Sequence, residues 1–361
     1  QDSTNTDCRG AVIDTFNLIA VAIGQVLRVV ARALGTPVAA LASQWGLSRY
    51  LARSIKGQVV IDRTCEGERN RLLTEEIRDA DRLPDLVASL GVTLPPTVDE
   101  ALALVKQVAR QDVEELEDGT FKIKQGTAKG RIISITDDEA RHGRKSSSKT
   151  INGFKTHVQG TITSQFVTGI AITDAAAHDS ESSPELIEQS DGVGLKPSEV
   201  VGDQAYGTGA NIRACAERDV AVLTKMAKPS SKDCFTKREF DIDLQTMAVT
   251  CPAGQTTTEY SMVKAPEGGS EKVPSFKFPK QACSSCPLAH RCNSDTKRGQ
   301  RRRVRLSAYE AEMQTTKEFN ASLRAREVLR SRSAIERLIS HLVRMGMRHA
   351  RFFGMHMVQY Q

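Results

Sequence analysis

Two β-branched segments, Phe154 to Ile162 and Phe166 to Thr173, are separated only by a turn at Ser164-Gln165. So short a link joins them as an antiparallel hairpin. The segments that follow alternate in type. Pro184 to Ser190 reads as a short helix, Val200-Val201 as a strand, Ala210 to Arg218 as a helix, and Val220 to Leu223 as a strand. Hairpin, helix, strand, helix, strand predicts a mixed sheet covered by helices.

That order is consistent with ribonuclease-H-like domains and equally with other α/β arrangements, so the fold class expected is α/β, with the sheet core over residues 119–228. Short strands are also expected at Phe121 to Lys124 and Arg131 to Ile135. Ahead of the core, Ile19, Ile23, Val26, Val30 and Leu34 fall at helical spacing within residues 11–34. Residues 36–118 read as mainly helical, broken by Gly57, Gly67, Pro84 and Pro95-Pro96. Residues 229–305 hold Gly268-Gly269, several prolines and clustered cysteines, and read as an irregular insertion. Residues 306–361 are expected to be helical, with Leu323, Val328, Ile335, Leu338, Ile339 and Leu342 as apolar positions.

The 361 residues are 39% hydrophobic, enough for one large core or two ordinary ones. Aromatics are only 5%, so that core rests on Val, Ile, Leu and Ala. Fifty Lys+Arg against 44 Asp+Glu give a net charge of +6, unevenly spread. Lys297 to Arg305 carries six basic residues and no acid, and Arg324 to Arg351 eight arginines against Glu327 and Glu336. The acidic run Asp112 to Asp118 lies in the first half. This asymmetry implies a polyanion partner for the C-terminal part. No continuous apolar run reaches the roughly 18 residues of a membrane span, because Asp14, Asn17, Gln25, Arg28 and Arg32 interrupt Ala11 to Leu34. No secretory signal is recognisable, and a cytoplasmic setting without membrane partners is expected. The chain opens on Gln1 and is read as an N-terminally truncated fragment.

The strand Val200-Val201 ends on Gly202-Asp203-Gln204-Ala205-Tyr206-Gly207. This puts a carboxylate at the carboxyl end of a buried strand, where open α/β sheets keep their active sites. Glycines on both sides leave room for a ligand or a close backbone approach. Far downstream, Glu336 stands beside Ile335, Leu338 and Ile339, at the boundary of an apolar helix face, with Arg332 one turn before it. With a third carboxylate the two would hold divalent metal ions about 3.5–4 Å apart and activate a water or hydroxyl against a phosphodiester. Asp2 and Asp137 are the candidates. By local pattern Asp137 is the better one, since it follows the apolar run Ile132 to Thr136 and precedes Arg141, His142, Arg144 and Lys145.

Cys283, Cys286 and Cys292 have a spacing suited to one tetrahedral metal, and Cys251 supplies a fourth thiolate, so a structural Zn²⁺ is expected. His290 is the alternative ligand. Cys8, Cys65, Cys215 and Cys234 are scattered and expected to be free. Lys297, Arg298, Arg301, Arg302, Arg303 and Arg305 follow the cluster and would meet phosphates.

Taken together, these pieces resemble the DDE transposases of bacterial insertion sequences, in the branch with a cysteine cluster before the catalytic glutamate. The resemblance is carried by Asp2-Ser3-Thr4, Thr136 to Gly143, Gly153 to His157, Gly202 to Gly207, Cys251 to Gly254, Cys283 to Cys292, and Glu336-Arg337 with the arginine-rich tail. It implies that Asp2, Asp203 and Glu336 are the catalytic acids, with Asp137 in reserve, holding Mg²⁺ or Mn²⁺. It also implies that residues 1–10 start the catalytic core, that 11–118 are a helical insertion after the first strand, and that 306–361 close the core. Arg332 would touch phosphate, and Arg337 and Arg344 would join the DNA contacts. The activity implied is metal-dependent cleavage and strand transfer on double-stranded insertion-sequence ends, by a homo-oligomer on paired ends in a bacterial cytoplasm. Asp138 departs from the pattern, standing where the group usually has proline. The alternatives are an inactive DNA-binding remnant of a transposase, and a nuclease on the same fold.

Overall fold

The computed structural model describes residues 1–62, 64–126, 128–144, 149–227, 234–292 and 301–361. The chain divides into two units. The helix-rich unit comprises Ser3–His157, Ile170–His178 and Ile339–Gln361, and the acid-bearing unit comprises Gln1–Asp2, Val158–Gly169 and Asp179–Leu338.

In the helix-rich unit, strand β1 (Asp2–Asp7) leads into helices α1 (Thr15–Leu34), α2 (Val38–Gln44), α3 (Glu66–Asp81), α4 (Leu83–Ala88) and α5 (Pro96–Gln111). Asp14 starts α1 by accepting the Asn17 N–H, and Gly35, in the left-handed region at φ 65°, ends it. Leu18, Ile19, Ile23, Val26, Leu27 and Val30 are fully buried on one stripe of α1. That stripe packs with Trp45, Tyr50, Leu73, Ile77, Val105 and Val108 in one core. By length and composition alone α1 would cross a bilayer. Here its apolar stripe is the centre of the helical core, each such side chain contributing about 1.5–3 kcal/mol by burial.

After a small hairpin, β2 (Val113–Glu115) with β3 (Phe121–Ile123), the strand expected at Arg131 to Ile135 does not form. Only Ile132 bridges, to Arg141. The strand falls instead on the basic run, as β4 (Arg141–Arg144), which pairs antiparallel with β5 (Thr150–Gly160). Gly143 is required there, because a Cβ would lie 2.0 Å from the Ala175 carbonyl oxygen. β6 (Val167–Asp174) also pairs with β5, and the Thr161 N–H donates to the Phe166 carbonyl across their turn. The sheet order is β1-β5-β4, with β6 on β5.

The acid-bearing unit continues with α6 (Ser183–Gly192), β7 (Glu199–Gly202), α7 (Gly209–Ala216) and β8 (Ala221–Thr224). β7 and β8 are parallel, with Val200 opposite Val222, and α7 is their crossover. Ile187, Val200, Ile212, Cys215, Val220 and Val222 form the core between them. The segment read as irregular carries two antiparallel sheets. One joins β9 (Asp241–Asp243), β10 (Ala248–Thr250) and β11 (Thr256–Thr257). The other joins β12 (Tyr260–Lys264) and β13 (Lys272–Lys277) to β14 (Arg303–Arg305), with α8 (Lys280–Ser284) and α9 (Ala289–Cys292) before the last strand. Their shared core is Phe240, Val249, Phe276, Phe278, Val304 and Leu306. The insertion is therefore built on an aromatic core, and the expectation that zinc organises it is not met.

The expected C-terminal helix is broken into α10 (Glu310–Ala321), α11 (Ala325–Arg330), α12 (Ser333–Arg344) and α13 (Met355–Gln359). Gly346 at φ 100° and Gly354 at φ 78° turn the chain between the last two. Residues from Ile339 onward belong to the helix-rich unit. The whole is a mixed α/β architecture consistent with a ribonuclease-H-like core.

Candidate functional site

The acid-bearing unit gathers residues from the start, middle and end of the chain. The Gln1 nitrogen donates to the Val201 carbonyl at 2.7 Å, which sets the first residues of β1 beside β7. Asp2 follows Gln1, and Asp203 follows β7. The turn after β7 explains why glycines flank the acid. A Cβ on Gly202 would meet the Tyr206 Cβ at 2.8 Å, and one on Gly207 the Thr224 hydroxyl at 2.5 Å. Tyr206 folds back over Gly202 and is fully buried, hydrogen-bonded to Ser182. Asp203 caps the short turn Gln204–Tyr206, its Oδ1 accepting the Ala205 N–H at 2.8 Å.

Arg332 relates the acids to one another. Its Nη2 lies 3.3 Å from Asp2 Oδ2 and 3.4 Å from Glu336 Oε1. The Asp2 pair is the more protected, at 16% exposure for the carboxylate and 27% for the guanidinium. Glu336, at 60%, sits in the first turn of α12 and is mostly open to solvent. Such an exposed i,i+4 pair contributes only about 0.3–0.5 kcal/mol. Burial raises the Asp203 pKa above the usual carboxylate value; Asp2 and Asp179 push it the same way, while the Ala205 N–H and Arg332 oppose.

The divalent-metal expectation is corrected. Among the described residues no group of three or more His, Cys, Asp or Glu is placed to hold a metal ion. The physical reason at Asp2 and Glu336 is that a guanidinium already lies within ion-pair distance of both. The zinc expectation fails on the same finding. Cys251, Cys283, Cys286 and Cys292 do line one cavity of about 30 Å³, with Phe278 and Arg302. All four are free thiols, and Cys251, Cys283 and Cys292 pack against the aromatic core.

The basic candidates separate. Arg302 Nη1 donates to the Cys292 carbonyl at 2.9 Å and Nη2 to the Phe235 carbonyl at 3.0 Å, with the guanidinium 5.4 Å from the Phe240 ring centre. It is an internal brace. Arg303 and Arg305 flank buried Val304 and are exposed, and Arg301 is half-buried. Arg337 Nη1 donates to the Ser333 hydroxyl on exposed helix surface. Arg344 is exposed at the end of α12, in the helix-rich unit. Lys297 and Arg298 lie outside the described residues, as does Lys145.

Asp137 also belongs to the helix-rich unit. Its Oδ1 accepts the Gly354 N–H at 3.1 Å while Glu139 accepts the Met355 N–H at 2.6 Å, so the two carboxylates hold the start of α13. One residue near the site had no sequence signal. Asp179, at the start of the short 3₁₀ turn Asp179–Ser182, is close enough for its charge to raise the pKa values of Asp203 and Tyr206. Its place follows from folding alone, since no strand or helix pattern marks it.

No curated protein and no solved structure matches the chain. Residues 250–361 do match a family model, described as "Transposase DDE domain". The matched segment contains Arg332, Glu336 and the four clustered cysteines, and begins after Asp2 and Asp203. Over that segment the chain is thus similar to a transposase DDE domain.

Proposed function

We propose that the chain is the catalytic core of a DNA transposase, a polynucleotidyl transferase of the branch with a cysteine cluster before its glutamate. The observation that carries this reading is the meeting of Asp2 and Glu336 on one guanidinium, with Asp203 within the field of both Asp2 and Arg332. The similarity of residues 250–361 to a transposase DDE domain supports it independently.

The chemistry assigned is in-line displacement at phosphorus. Water forms a bond to the phosphorus, the bond from phosphorus to the 3′-oxygen breaks, and that oxygen takes up a proton from solvent and leaves as a 3′-hydroxyl. The 3′-hydroxyl then repeats the displacement on a second duplex. Asp203, whose proton affinity is raised, accepts the proton of the attacking hydroxyl. Arg332 exchanges a carboxylate for a phosphate oxygen, a pairing its planar donors suit. Exposed Arg303, Arg305 and Arg337 supply sequence-independent phosphate contacts, so affinity should fall steeply with salt.

Nicking of a supercoiled plasmid carrying candidate element ends tests the reading. Asp203→Asn and Glu336→Gln should each reduce nicking at least 100-fold while duplex affinity stays within threefold. Unchanged nicking by both purified variants would reject the assignment.

A further inference from the structure

The clustered cysteines take no part in the chemistry assigned to Asp203, and two of them share one turn. Cys283 lies in the last turn of α8, and Cys286 stands two residues beyond the end of that helix. The Cys286 N–H donates to the Cys283 carbonyl at 3.4 Å, and the Ser285 N–H turns back to the Gln281 carbonyl at 3.3 Å. Pro287 has no N–H with which to carry the helix on, so α8 stops and the chain resumes as α9. A four-residue turn closed by such a bond keeps its first and last Cα atoms within about 7 Å. A disulfide spans about 4.4–6.8 Å between Cα atoms, so this turn already holds the two cysteines at bridging range.

Both residues line the cavity of about 30 Å³ that Cys251 and Cys292 also reach. All four are free and half-buried, within reach of small molecules from solvent. The Arg302 N–H donates to Cys283 Sγ at 3.5 Å, while its guanidinium holds the Cys292 carbonyl at the end of α9. Cys283 therefore has a donor beside its sulfur and a second thiol one turn away. An attacking sulfur next to a resolving one is the arrangement that reversible thiol oxidation needs.

We propose that Cys283 and Cys286 are a peroxide-reactive dithiol. The Cys283 sulfur bonds to one peroxide oxygen, the O–O bond breaks, and the other oxygen leaves as water with the thiol proton. The Cys286 sulfur then displaces the oxygen of the resulting sulfenic acid, which departs as a second water with the Cys286 proton. Two thiols are oxidised to one disulfide, and one peroxide is reduced to two waters. The new bond clamps the turn after α8, on which Arg302 and the start of β14 are seated. The proposal stands apart from the transposase reading, because neither the acids nor DNA enters it.

The test treats the full chain, reduced and freed of reductant, with hydrogen peroxide, then quenches it and alkylates it in denaturant. Trypsin cuts after Lys280 and Arg291 and releases residues 281–291, which hold Cys283 and Cys286 and no other cysteine. This peptide should reach a form two hydrogens lighter and closed to alkylation at least tenfold faster than Cys65 is oxidised. Cys65 is the internal reference, an exposed thiol in the helix-rich unit. In Cys286→Ser, which removes the resolving sulfur, dimedone should capture a sulfenic acid on Cys283. A peptide that stays open to alkylation while Cys65 oxidises would overturn the proposal, as would cross-links from it to Cys251 or Cys292. Absence of dimedone capture in the Cys286→Ser chain would overturn it too, by removing Cys283 as the attacking sulfur.

Discussion

At the scale of single residues, charge is settled by what each group loses on burial. Arg332 pairs with Asp2 at 3.3 Å, while Asp203 is held toward its protonated form by burial and by Asp2. Glu76 on α3 is the extreme case. It is fully buried in the helical core, neither carboxylate oxygen has a hydrogen-bond partner, and burial pushes its pKa up to about 9. An acid whose folded pKa is raised stabilises fully below its unfolded value near 4.5, and that stability is lost as pH rises toward about 9. Glu76→Met should therefore be more stable than the parent by about 2 kcal/mol at pH 5, roughly the cost of a buried unsatisfied polar group, and by more at pH 8, where the unfolded carboxyl is ionised. The gap should shrink as pH falls to 5. Thermal melts across that range check it, and a gap independent of pH would contradict the burial argument. Legibility at this scale was mixed. The Asp203 turn could be read because its flanking glycines have a local cause. The local pattern favoured Asp137 over Asp2, and Asp137 turns out to hold the start of α13, since an acid after an apolar run serves as a cap as readily as a catalyst. Nothing local could reveal Asp179.

Elements were legible where their pattern ran long. The stripe of α1 spans 20 residues, and the β5–β6 hairpin combines β-branched runs with a tight turn. The six strands β9 to β14 were missed because each is only two to six residues long, too short for alternation to register. The cysteines drew attention to metal, whereas Phe240, Phe276 and Phe278 do the packing there. Within β14 and its approach, neighbouring arginines do different work, which a charge count conceals. Arg302→Lys loses the two-carbonyl grip and should lower stability by about 1–2 kcal/mol, the range for hydrogen bonds to a charged group. Arg303→Ala and Arg305→Ala should leave the melting midpoint within about 1 °C, as surface changes do. Under the DNA reading each should also flatten the salt dependence of duplex binding by about one charge. Loss of stability in the Arg303 and Arg305 variants, with none in Arg302→Lys, would reverse this division.

At the scale of the whole molecule, the carboxylates separated by two hundred residues of sequence lie in one unit, because residues 1–2 and 179–338 fold together. Sequence spacing alone gives no such partition. It came into view through the β7–α7–β8 crossover, the contact of Gln1 with β7, and Arg332 ahead of α12. The family match to residues 250–361 covers one of the three acids, so the other two rest on geometry. The most direct measurement is strand joining: a duplex bearing a candidate element end and a free 3′-hydroxyl is incubated with supercoiled plasmid. The account predicts covalent joining of the 3′-end to the plasmid by the wild-type chain, and none by Asp203→Asn despite equal duplex binding. Nicking without joining would make the chain a nuclease, and binding without either reaction would contradict a catalytic role for the Asp2, Asp203 and Glu336 group.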